Sequence, residues 1–103
     1  MEKVIKNGKV AILYSPGCGA GWFTCNDDER ILFDPRIVEK VEQVKQSEIT
    51  ADFMKSLGYE EGYWGGAENL KLKWVEEGTK FKLEEYDGNE SIYIINERNY
   101  HKA

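Results

Sequence analysis

From Ser15 to Asn26 the chain reads Ser15-Pro16-Gly17-Cys18-Gly19-Ala20-Gly21-Trp22-Phe23-Thr24-Cys25-Asn26, with glycine at every second position from 17 to 21 and two aromatics close behind. Glycines leave backbone amides bare, and bare amides approach an anion closely. Trp22 and Phe23 present flat surfaces on which a base or ring stacks, while Thr24 and Asn26 present hydrogen bonds to its edge. That chemistry is the binding of a small phosphate-bearing or nucleotide-like ligand. The plainer reading is that the glycines permit positive φ or close packing and that the aromatics fill the core.

The loop departs from the familiar phosphate motifs. It lacks the Gly-Lys-Ser/Thr ending of a P-loop, and its third glycine comes one position early for G-x-G-x-x-G. A second glycine-aromatic loop, Tyr59 to Gly66, sets Tyr63 and Trp64 among Gly62, Gly65 and Gly66, and ligand sites commonly draw on more than one loop. Arg36, in the first turn of a predicted helix, either meets phosphate there or pairs with Glu39 three residues on. Arg30 and Arg98 are weaker phosphate candidates.

Groups for catalysis are scarce. The lone His101 lies near the C-terminus, Cys18 has no neighbouring base, and Glu60-Glu61, Glu76-Glu77 and Glu84-Glu85 are adjacent residues that point apart on a strand. Cys18, Cys25 and the distant His101 do not make a tetrahedral metal set. The expectation is no catalytic residue, no metal and no cofactor.

The elements that must position these residues are legible from pattern. Asn7-Gly8 between Val4-Ile5-Lys6 and Lys9 to Tyr14 predicts a hairpin with a type I′ turn, and the second strand is apolar almost throughout, as in a strand covered on both faces. Asp34 reads as an N-cap with Pro35 first in a helix whose Ile37, Val38, Val41 and Val44 form a stripe. Ser47 or Thr50 caps a second, shorter helix carrying Ile49, Phe53, Met54 and Leu57, with Gly58 at its C-terminal end. From Leu70 the period becomes two: Leu70, Leu72 and Trp74, then Phe81 and Leu83, then Ile92 to Ile95, with turns at Glu77-Gly78 and Asp87-Gly88. The predicted architecture is an α+β fold, mainly an antiparallel sheet of about five strands with a two-helix hairpin packed on one face.

With 103 residues, 41% hydrophobic and 13% aromatic, the chain is expected to form one domain over residues 1–96, followed by a polar tail over 97–103. A net charge of -5 argues against duplex nucleic acid as the partner, since that binding rests on many Lys and Arg neutralising phosphates. The chain has neither a long apolar run nor a signal-like N-terminus, so no membrane association and a cytoplasmic location with reduced thiols are expected.

Three stretches resemble a family of short phage and bacterial proteins with a PGYGAGW-type loop: Leu13 to Trp22, Leu32 to Glu39, and Trp74 to Phe81 with Glu85-Tyr86-Asp87-Gly88. The resemblance spans most of the chain and points to the phage anti-CBASS sponge proteins, which sequester cyclic oligonucleotide immune signals without cleaving them. It implies a homo-oligomer with ligand pockets at or near subunit interfaces, in the host cytoplasm for a phage-encoded chain. Cys18 stands where the family carries an aromatic and Cys25 replaces another, which removes stacking from those positions. The expected function is non-enzymatic sequestration of a small nucleotide. Gly17, Gly19 and Gly21 would present amides, Trp22 would stack with Tyr63 and Trp64 nearby, Thr24 and Asn26 would read polar edges, and Arg36 would meet phosphate. The alternative is a protein-interaction module or inhibitor that engages a host protein through its glycine-aromatic loops.

Overall fold

Asn7 and Gly8 both adopt positive φ, 54° and 75°, so the first turn has the twist that joins two adjacent antiparallel strands directly. In the computed structural model, which describes residues 2–17, 21–26, 28–86 and 89–95, that turn connects β1 (Ile5–Lys6) to β2 (Lys9–Tyr14). On its other side β2 pairs antiparallel with β3 (Lys71–Glu76), with Val10 opposite Val75 and Leu13 opposite Leu72. β4 (Lys80–Tyr86) and β5 (Asn89–Ile95) form a second antiparallel sheet, with Phe81 opposite Ile94 and Leu83 opposite Ile92. The five antiparallel strands of the predicted α+β fold are present, divided between two sheets.

This division corrects the reading of Glu77-Gly78 as a turn between paired strands. The turn forms, with the Thr79 amide donating to the Glu76 carbonyl at 3.0 Å, but β3 pairs with β2 rather than with β4. The reason lies in β2, whose Val10 to Leu13 are all buried and need partners on both sides and both faces. Asp87-Gly88 and the tail over 97–103 lie outside the described residues.

Helices cover one face of β2. Asp34 caps α2 (Pro35–Glu42) and accepts the Arg36 amide, and Thr50, rather than Ser47, caps α3 (Ala51–Ser56) by accepting the Phe53 amide. α3 ends in a Schellman motif: Gly58 has φ of 101°, its amide reaches the Lys55 carbonyl, and the Tyr59 amide reaches the Met54 carbonyl. Ile37, Val38, Val41, Ile49 and Met54 pack with Ala11 and Leu13 of β2. On the opposite face Val10 and Ile12 meet Leu32, Phe33 and Val75, with Phe81, Leu83 and Ile92 of the second sheet laid over them. β2 is therefore the middle layer, and its alternating side chains join two cores. No helix among the described residues is long and apolar enough to cross a membrane.

Two features were not visible in the pattern. A single-turn helix α1 (Phe23–Asn26) follows the glycine loop, and the 3-10 turn Glu29–Leu32, capped by Asp28, carries Ile31 and Leu32 into the core. Glu90, fully buried at the start of β5, accepts the Ser15 amide at 2.9 Å through one carboxyl oxygen. Its other oxygen accepts both the amide and the hydroxyl of Thr24 at 2.8 Å. One side chain thus ties the end of β2 to the first turn of α1 and to the second sheet.

Val44 corrects the predicted helix stripe. It lies beyond α2, 81% exposed with φ of 57°, at the position where a Schellman ending wants glycine: its amide donates to the Val41 carbonyl and the Lys45 amide to the Lys40 carbonyl. A β-branched residue there costs about 1–2 kcal/mol. Val44→Gly is expected to raise stability by about 0.5–1 kcal/mol after its larger unfolded-state entropy is counted, seen as a higher urea midpoint with an unchanged slope. Glu90→Ala, which strands two amides and a hydroxyl, is expected to lower stability by about 3 kcal/mol. Glu90→Gln, whose single acceptor serves either Ser15 or Thr24, should fall between the two proteins in the same titration.

Candidate functional site

The two glycine-aromatic loops meet, and they meet through backbone. Gly66 sits against the Gly21 carbonyl so closely that a Cβ on Gly66 would overlap it, and the Ser15 hydroxyl donates to the Gly66 carbonyl at 2.8 Å. Asn26 locks the second loop to the first: its amide nitrogen donates to the carbonyls of Trp22 at 2.7 Å and Tyr63 at 2.8 Å, and its side-chain oxygen accepts the Tyr63 amide at 2.6 Å. Gly17 packs on the Asn69 side chain, Gly62 on the Trp64 ring, and Gly65 on the Tyr63 ring. At these positions glycine serves close packing, the plainer of the two sequence readings.

The predicted ligand residues of the loops are accordingly redirected. Trp22 is completely buried, with its indole N–H donated to the Ile31 carbonyl at 2.9 Å and its ring 5.3 Å from that of Trp64, so it has no open face for a base. Thr24 spends its hydroxyl on Glu90, and Asn26 spends its amide on the second loop. Tyr63 is half-exposed, whereas Trp64 is partly buried against Trp22 and Tyr59. Gly19 and Cys18 lie outside the described residues, as do His101, Arg98 and the side chain of Cys25.

From Trp64 the aromatic chain runs outward to Tyr59, at 6.0 Å between rings, and there the polar chemistry begins. The Tyr59 hydroxyl donates to Asp34 at 2.7 Å. Arg36 forks onto the same carboxylate, Nε at 3.0 Å and Nη2 at 2.8 Å, which replaces the pairing with Glu39 expected from helix spacing. A buried partner two residues away, aligned by the cap, outcompetes a solvated one. Arg30 stacks over the Tyr59 ring, its guanidinium carbon 4.8 Å from the ring centre, and is held by Asp28 with Nη2 at 2.7 Å. Glu2, Arg30, Asp34, Pro35, Arg36 and Tyr59 line a groove of about 590 Å³.

The helix amides that an anion would seek at the start of α2 are already used. Asp34 takes the Arg36 amide with its side chain and the Ile37 and Val38 amides with its carbonyl. What faces the groove instead is guanidinium. Both arginines keep more than half of their side-chain surface exposed, and among the described residues neither Nη1 has a partner.

Burial by itself raises the Asp34 pKa, but hydrogen bonds from Arg36 and Tyr59 outweigh it and hold the carboxyl below the usual carboxylate range. Tyr59 moves the opposite way, well above an ordinary phenol, through burial first and then its bond to Asp34. Asp28 is lowered by its hydrogen bond to Arg30. Tyr59 is therefore a fixed donor near neutral pH, and Asp34 a fixed acceptor.

Sequence reasoning missed Asp34 and Tyr59 as site residues and Glu90 as their structural counterpart. Glu90 did carry a signal, since it lies in phase with Ile92, which packs on the second core from β5. Tyr59 carried none, because its place depends on where Gly58 turns the chain. Among the described residues no group of three His, Cys, Asp or Glu side chains is placed to hold a metal ion. No family model, curated protein or solved structure matches the chain.

The lowered Asp34 pKa fixes the sign of an acid effect. Its stabilisation is fully present above the ordinary aspartate pKa and disappears as pH falls through the depressed folded value. Asp34→Asn keeps the cap but loses the charge, so it is expected to cost about 1–2 kcal/mol at pH 7. That difference should shrink as pH is lowered below the aspartate range, measured by thermal unfolding of both proteins across the acid limb.

Proposed function

We propose that this protein is a non-catalytic binder of a small phosphate-bearing nucleotide, and that the groove between Arg30 and Arg36 is where the ligand sits. The observation that carries the reading is a pair of guanidinium groups lining one groove with Tyr59, each held by its own aspartate. A fork held in place loses little freedom when it meets phosphate, and two forks lining one groove suit a ligand with separated anionic oxygens. A groove of about 590 Å³ falls within the size range of sites for such ligands. Sequestration rather than turnover is favoured because the groove's titratable pair is held away from neutral pH, as a proton-transferring pair would not be.

The resemblance to the PGYGAGW-loop proteins narrows the ligand to a cyclic oligonucleotide immune signal, bound in the cytoplasm of a phage-infected cell. In this reading the glycine loop acts indirectly: it buries Trp22 and Trp64, which support Tyr59 from behind.

Calorimetric titration with cyclic dinucleotides, cyclic trinucleotides and ADP-ribose derivatives is the direct test. Binding of at least one is expected, weakening as salt rises, with Arg30→Ala and Arg36→Ala each lowering affinity about tenfold or more. The absence of heat with every member of the panel would overturn the reading. Recovery of a stoichiometric host protein without nucleotide would favour a protein-interaction module instead.

A further inference from the structure

The groove that holds Arg30 and Arg36 also holds a carboxylate that neither of them uses. Glu2 lines it and is exposed, while Arg30 is paired with Asp28 and Arg36 with Asp34. Among the described residues no hydrogen bond or ion pair engages the Glu2 side chain. Its place is nevertheless set by its neighbours. Lys3 Nζ lies 4.5 Å from the centre of the Phe33 ring, and Phe33 directly precedes Asp34. Val4 packs on the main core, and its carbonyl accepts the Ala11 amide at 3.0 Å. Glu2 therefore reaches the groove from backbone that is anchored at the next two residues.

Charge and shape decide what such a groove accepts. Two guanidinium groups stand against three carboxylates, those of Asp28, Asp34 and Glu2, so the surroundings carry an excess negative charge. A bare polyanion meets that excess unfavourably, whereas a group with hydroxyl donors finds in Glu2 an acceptor with two oxygens to offer. The groove also has little on which a base could stack. Tyr59 is only 5% exposed, with the Arg30 guanidinium over its ring and the Trp64 ring 6.0 Å away.

We infer that Glu2 is the specificity-determining residue of this site: it accepts hydrogen bonds from ribose hydroxyls while Arg30 and Arg36 hold the adjoining phosphate. The groove then takes the sugar–phosphate part of a ribonucleotide and leaves the base outside. This rests on the nucleotide reading above and adds to it which part of the nucleotide enters and why deoxyribose is refused. A carboxylate suits ribose because it only accepts and can take two donors at once. The same charge repels phosphate oxygens that come without hydroxyls, so one side chain supplies both attraction and exclusion.

Amide chemical-shift titrations of the full chain with ribose 5-phosphate, 2-deoxyribose 5-phosphate and pyrophosphate test this. Ribose 5-phosphate is expected to bind about tenfold more tightly than either of the others. Glu2→Ala should bring the two sugar phosphates within about twofold of each other and strengthen pyrophosphate binding about threefold. Thermal unfolding of the variant should match the parent, so that a changed preference reports the site and not the fold. Equal binding of the two sugar phosphates by the parent overturns the inference, and so does a ribose preference that survives Glu2→Ala. Binding of cyclic nucleotides without binding of ribose 5-phosphate overturns the inference and leaves the nucleotide reading standing. Binding of neither overturns both.

Discussion

The carboxyl of Glu90 has no solvent and three donors, and it joins three segments far apart in the chain. The Ser15 amide reaches one oxygen, while the Thr24 amide and hydroxyl reach the other. Ser15 follows the last residue of the central strand, Thr24 lies in the helix after the glycine loop, and Glu90 is the second residue of the last strand. A buried carboxyl without these donors would be prohibitive, and buried amides without an acceptor nearly so. Each element is therefore acceptable only where the other two are. Beside these bonds, β5 is also bridged to the end of β2 at Pro16 and Asn89, while β3 pairs along the length of β2.

A second carboxylate organises the opposite side. Asp34 caps α2, accepts the Tyr59 hydroxyl and aligns Arg36, so one residue links helix start, aromatic chain and groove. Between the two carboxyl groups run Trp22, Trp64 and Tyr59, ring against ring. The glycine loops belong to this scaffold. Their glycines let Gly21 and Gly66 touch, and that approach seats the two tryptophans. Function, in the proposed reading, lies one layer out, on side chains that the scaffold holds still.

Much of the fold was legible in the sequence because local signals and burial agree. Asn7-Gly8 accepts positive φ at two successive residues, Asp34-Pro35 starts a helix, and Gly58 ends one, each through backbone chemistry that needs no distant partner. Val44 is the exception among the local readings, since apolar periodicity continued past the point where the helix stops. The site was less legible for a definite reason. Glycine and tryptophan serve ligand contact and close packing equally well, and nothing in their spacing says whether another loop will arrive to cover them.

The sequence by itself determined the five strand segments, the two longer helices, the Asp34 cap and the presence of two glycine-aromatic loops, because these follow from φ, periodicity and turn chemistry within a few residues. Only the tertiary structure decided that β3 turns back to β2, that Trp22 is core and that Arg36 pairs with Asp34 rather than Glu39. Each of those outcomes depends on which buried group finds a partner far along the chain. Satisfying a buried hydrogen bond is a condition on three-dimensional neighbours, and no local pattern carries it.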